Sequence, residues 1–116
     1  MLKRTSLLLV GLFVISLTIV SAQTQSAMNV QTRAEFEQAD SELTKTYDAL
    51  LARLPDAESK RKLQESQRAW IAFRDAEGSF AADQVRGGTA ASSLRYASMT
   101  ECTQQRIKQL KSDFPR

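Results

Sequence analysis

The side chains that most often carry catalysis are sparse in this chain. Its 116 residues include no histidine, one cysteine (Cys102), 13 acidic and 16 basic residues. Without histidine a serine nucleophile has no imidazole base, and the commonest metal ligand is missing. Cys102 has no second cysteine to pair with, so neither an intramolecular disulfide nor a CxxC site is available. The carboxylates fall along solvated helix faces, with no dense acidic loop for a cation and no paired acid and base. Gly87-Gly88 is too short to cradle a phosphate. The expectation is a protein that is not an enzyme and needs neither cofactor nor metal.

Three helices must position whatever else the chain presents. The first is expected over Thr32–Leu54. Phe36, Ala39, Leu43, Tyr47, Leu50, Leu51 and Leu54 recur every three to four residues, and Thr32 with Glu35 fits a capping box. Pro55 turns Leu54 away from helical backbone. The second is expected over Asp56–Val85, with Asp56 as N-cap and an inward stripe of Leu63, Gln67, Trp70, Phe73, Arg74, Glu77, Phe80 and Ala81. Gly87-Gly88 ends it. The third is expected over Ala90–Lys111 behind Thr89 as N-cap, with Leu94, Ala97, Thr100 or Cys102, Thr103, Ile107 and Leu110 as a weaker inward stripe. No stretch alternates with the period of a strand. The fold expected is all-α: an antiparallel helical hairpin plus a third helix, a small three-helix bundle over residues 32–111. Residues 23–31 read as a loose polar segment and 112–116 as a tail.

Pairing the first two helices around Pro55 brings together residues whose numbers sum to about 111. Asp40 then meets Ile71 and its neighbours Gln67, Trp70 and Arg74. Phe36 meets Phe73 and Phe80, and Tyr47 meets Leu63 and Gln64. A charge on an inward stripe needs a partner. An Asp40–Arg74 pair is expected, with Glu37 as the alternative acid and Gln67 satisfying what the pair leaves over. Such a seam either sets the register of a helical hairpin or lines a binding pocket. Trp70, between Gln67 and Arg74, is expected in the core, and Cys102 in a semi-buried position.

Residues 1–22 have the make-up of a cleavable signal peptide. Lys3 and Arg4 precede the apolar run Leu7–Val20, and Val20-Ser21-Ala22 offers small residues for cleavage after Ala22. The run is shorter than the roughly 20 residues of a membrane span, so no stable span is expected after cleavage. Periplasmic or secreted localisation follows. Removing residues 1–22 brings the formal charge from +3 to +1, too little for a phosphate-binding face. Nucleic acid is not an expected partner.

Several motifs, in order, carry a resemblance. Gln67-Arg68-Ala69-Trp70-Ile71-Ala72-Phe73-Arg74-Asp75-Ala76-Glu77 resembles the QRAWxxxRDAE run of the LprI-like lysozyme-inhibitor family. Ala39-Asp40-Ser41-Glu42-Leu43 with Tyr47 resembles its AD-x-EL-N-x-x-Y run, with Thr44 where the family usually has Asn. Gly87-Gly88-Thr89 resembles its GG[ST] turn, and Thr103, Arg106 and Leu110 its TxxRxxxL close. Met28-Asn29 matches a common start. The family usually carries several cysteines. Gln31 and Gly78 stand where two would be expected, and Cys102 lies near a third. The resemblance implies an exported helical domain of the bacterial envelope that binds lysozyme.

Lysozyme cuts with two carboxyl groups in a cleft. An inhibitor can fill that cleft and satisfy those acids, and the turn Val85-Arg86-Gly87-Gly88-Thr89 is the segment suited to it. Arg86 offers charge-assisted hydrogen bonds, and Gly87 and Gly88 permit close backbone approach. Arg68 and Arg95 are the next polar contacts to consider. The alternative is a periplasmic helical binding or chaperone-like module with an apolar groove and no action on lysozyme.

Overall fold

The computed structural model describes the backbone of residues 2–112 and the side chains of residues 21–112. It contains three helices, α1 (Leu2–Arg53), α2 (Ala57–Asp83) and α3 (Ala91–Ser112), and no strand among the described residues. The protein is an all-α three-helix bundle. The side chains of the expected signal peptide up to Val20, and residues 113–116 of the tail, lie outside the described residues. Among those described, no helix is long and apolar enough to cross a membrane.

Helix boundaries follow local chemistry at Pro55. The Leu54 amide closes a tight last turn on the Leu51 carbonyl (3.3 Å), and α1 stops one residue before that turn ends. Asp56 then caps α2 in extended backbone, its carboxylate accepting the Ser59 amide at 2.7 Å. That hydrogen bond holds the Asp56 carboxyl below its ordinary pKa. At the far end of α2, Gly87 takes φ +75°, the left-handed backbone that favours glycine.

Two expected starts are corrected. Residues 23–31 are helix, continuous with the rest of α1, and Thr32 is not a cap. Its hydroxyl donates back to the Met28 carbonyl at 2.9 Å, the arrangement threonine adopts inside a helix. The N-cap position of α3 falls on Ala90, whose carbonyl accepts the Leu94 amide at 3.1 Å, one residue beyond the expected Thr89.

Helix α3 is the centre of the bundle. It packs closely along both α1 and α2, parallel to the first and antiparallel to the second. The contacts Phe36–Tyr96 and Glu42–Lys111 run one way, and Ser79–Arg95 and Ser66–Arg106 the other. The backbones of α1 and α2 stand farther apart, and long side chains bridge them.

The apolar core lies toward the Pro55 end. Leu43, Leu50, Leu63, Ile107 and Leu110 form one buried cluster, with Tyr47, Leu51, Leu54 and Trp70 packed against it. Farther along, the packing uses small residues. Gly78 and Ala82 are buried on α2, and Met99 fills the notch at Gly78, where an added Cβ would stand 2.7 Å from the Met99 Cγ. A cysteine at position 78 would therefore have to displace Met99. The expectation that Phe36 meets Phe73 and Phe80 is corrected. Phe36 packs instead against Tyr96, ring centroids 5.6 Å apart, because α3 occupies the place assigned to α2. Phe73 and Phe80 face outward, 54% and 68% exposed.

Candidate functional site

Arg74 and Arg106 are buried, and each is held by several groups. Arg74 Nη1 donates to Asp40 at 2.8 Å and its Nε to Asp75 at 3.1 Å. Its guanidinium carbon lies 5.1 Å from the Phe36 ring centroid and 5.2 Å from that of Trp70, within cation–π range. The Asp40–Arg74 pair expected from the register is thus present. Glu37, the alternative acid, faces out and pairs with Arg33 at 2.9 Å.

Gln67 is corrected. Its carbonyl oxygen accepts from Arg106 Nε at 3.1 Å, so it serves α3 and not the Arg74 pair, whose remaining capacity Asp75 takes. Arg106 also donates to Gln109 at 2.6 Å and to Ser66 at 3.1 Å, and lies 5.9 Å from the Trp70 ring. Thr103 is fully buried and returns its hydroxyl to the Met99 carbonyl at 2.7 Å. Trp70 is half-buried between these groups.

Between α1 and α2 this seam opens into a polar groove of about 490 Å³. Asp40, Tyr47 and Asp48 line one wall, and Gln64, Arg68 and Arg74 the other. Of the motif residues, Asp40, Leu43, Tyr47, Gln67, Arg68 and Arg74 converge here. Arg106 belongs to the α2–α3 contact, Thr103 is buried within the bundle on α3, and Asp75 reaches the seam only through Arg74.

The turn from α2 to α3 lies toward the other end. Arg86 is largely exposed, yet its guanidinium is gripped by Asp83 through two hydrogen bonds of 2.7 and 2.9 Å. The Gly88 amide bonds the Val85 carbonyl at 2.7 Å, and a Cβ at Gly88 would stand 2.9 Å from that oxygen. Helix α1 ties the turn down. Asn29 Nδ2 donates to the Thr89 carbonyl at 3.3 Å, the Ser93 hydroxyl donates to Asn29, and Gln25 donates to both Asn29 and Ser93. Composition hid this cluster, because Gln25, Asn29 and Ser93 carry no apolar periodicity to mark them. Replacing Gly87 by alanine is expected to cost about 1 kcal/mol through backbone strain alone, since nothing lies within 4 Å of the added Cβ. Thermal unfolding would show Tm lower by roughly 5 °C, with Gly87→Asn milder.

Two other groups bear on reactivity. Burial, then the charges of Glu77 and Glu101, push the Cys102 thiol above its ordinary pKa, which suppresses the thiolate. Ser59-Lys60-Arg61-Lys62 presents a serine–lysine spacing at the start of α2. Lys62 is exposed, its ammonium 3.6 Å from Glu58, and the Ser59 amide is engaged in the helix cap.

Comparison with known proteins supplies the context for this geometry. The family described as Lysozyme inhibitor LprI matches residues 19–110. An uncharacterized protein of Rhizobium meliloti (strain 1021) is 28% identical, the match covering 78% of this chain and 73% of that one. No solved structure matches. The matched span takes in the seam, the groove and the α2–α3 turn together, and the chain belongs to the LprI lysozyme-inhibitor family.

Proposed function

We propose that this protein is an exported lysozyme inhibitor that works by occlusion, presenting the Arg86-Gly87-Gly88 turn to the active-site cleft. The observation that carries the reading is the turn itself: exposed, polar, made possible by the left-handed backbone at Gly87, held by the Gly88–Val85 hydrogen bond, and fastened to α1 by Asn29. A pre-ordered loop loses little conformational entropy on binding. Its basic group suits a cleft whose working groups are carboxylates. Asp83 keeps the guanidinium aimed and gives way when a carboxylate of lysozyme takes its place, one charge-assisted contact replacing another. Removal of residues 1–22 would leave the turn nearer the end of the molecule, since α1 otherwise runs on past Asn29.

The alternative binding-module reading needs an apolar groove between the helices. The groove between α1 and α2 carries Asp40, Asp48, Arg68 and Arg74 among its lining, and the more apolar grooves around Leu50, Leu54 and Leu63 and around Leu50 and Leu110 are rimmed by charged side chains. This second reading is favoured if the protein binds apolar peptides without slowing lysis.

A lytic assay on cell-wall substrate tests the proposal. The protein is expected to slow lysis, and Arg86→Ala to weaken inhibition at least tenfold. Unchanged inhibition by Arg86→Ala would remove the turn from the mechanism. Absence of inhibition across lysozyme types would remove the function.

A further inference from the structure

The outward face of α2 is unusual for a solvated helix. Ala69, Phe73, Ala76 and Phe80 are all exposed, with the two phenylalanines 54% and 68% accessible. Their spacing of four, three and four residues is that of a coiled-coil seam, and the seam faces away from both α1 and α3. Large and small residues alternate along it. Charge along the same helix is divided. Along the segment that carries the seam, residues 66–74 hold two basic side chains and no acidic one, and residues 75–83 hold three acidic and no basic one.

We propose that this face is covered by a second copy of the chain, with the two α2 helices antiparallel about a two-fold axis between positions 74 and 75. That register sets Phe73 of each copy against Ala76 of the other, and Phe80 against Ala69. Each large ring meets a small residue in both halves of the seam. In this register the two helices overlap over residues 66–83, the basic half of that segment lies along the acidic half of its mate, and the helix dipoles oppose. A parallel arrangement would put phenylalanine on phenylalanine and like charge on like charge, so charge and shape select the same orientation. A two-fold contact must be complementary to itself, and this seam is. Four short layers bury less than a standard interface, so the association belongs to the weak, reversible class.

The test is sedimentation velocity over a wide concentration range, on the full chain carrying Cys102→Ser so that no disulfide can link copies. A reversible monomer–dimer equilibrium is expected. Phe73→Ala removes the ring and Ala76→Phe opposes two rings, so each is expected to raise the dissociation constant at least tenfold. The double variant Phe73→Ala/Ala76→Phe exchanges large and small in the two central layers and leaves the two outer ones as they are, and is expected to return to within threefold of the parent. All these positions are solvent-exposed in the monomer, and far-ultraviolet circular dichroism checks that helix content is unchanged. A monomer at every concentration would overturn the proposal. So would association that survives the single substitutions, as pairing through the apolar N-terminal segment would, or failure of the double variant to recover. Lytic activity is measured separately, so loss of inhibition and loss of association are told apart.

Discussion

Arg74→Ala is expected to lower stability by about 3 kcal/mol. The figure combines loss of hydrogen bonds from a charged donor, loss of contact with two aromatic faces, and the space left by the side-chain stem. For a domain of this size the fall in Tm exceeds roughly 10 °C. The two members of the ion pair are unequal. Arg74 keeps only 10% of its side chain exposed, whereas Asp40 keeps 48%. When the arginine is removed, Asp40 returns to water at little cost. When Asp40 is removed, Arg74 retains Asp75 and both rings. Asp40→Ala should therefore cost no more than about 1 kcal/mol. Arg74→Met keeps a flexible apolar stem against Phe36 and Trp70 and should fall between them. Thermal unfolding of the three variants separates packing from charge. If Arg74→Ala unfolded within 2 °C of the parent, the seam would contribute nothing to stability.

Leu110→Ala is expected to be at least as damaging, at about 3–4 kcal/mol. Leu110 is 1% exposed and packs with Leu43, Leu50, Leu63 and Ile107. All three helices contribute to that cluster, so a cavity there loosens all of them. Domains of this size are held by only about 5–15 kcal/mol, and Cys102, as the lone cysteine, provides no intramolecular cross-link to share the load. Urea titration should show a lower midpoint with an unchanged slope. A loss below 1 kcal/mol would mean that the bundle is held mainly elsewhere.

The register of the first two helices was legible because Pro55 fixes the turn and the apolar stripes fix the faces. Those two constraints place Asp40 beside Arg74 from 34 positions away. Inference failed where a helix presents apolar residues on two faces. Phe73 and Phe80 lie within the same spacing rule as Trp70 and Leu63, and period alone cannot say which face turns inward. Burial at Gln67, Arg74 and Gly78 decides it; spacing already turns the first two inward, but nothing in the pattern marks Gly78, and the rings at 73 and 80 compete for the same stripe. The helix over residues 23–31 was hidden for the opposite reason. Its residues are polar, and it is fastened by Gln25 and Asn29 to residues some 60 positions later, a pairing with no local trace. Arg106 stood out only through its likeness to the family's closing motif, since an arginine in a late helical turn ordinarily reads as a solvated partner of the helix dipole.

The placement of Trp70 makes the protein its own optical probe. It is the sole tryptophan, and its indole touches one guanidinium that reaches across to α1 and another that belongs to α3. Emission excited selectively at the indole therefore registers detachment of either neighbouring helix. An unlabelled sample can report whether the two separate together or in turn.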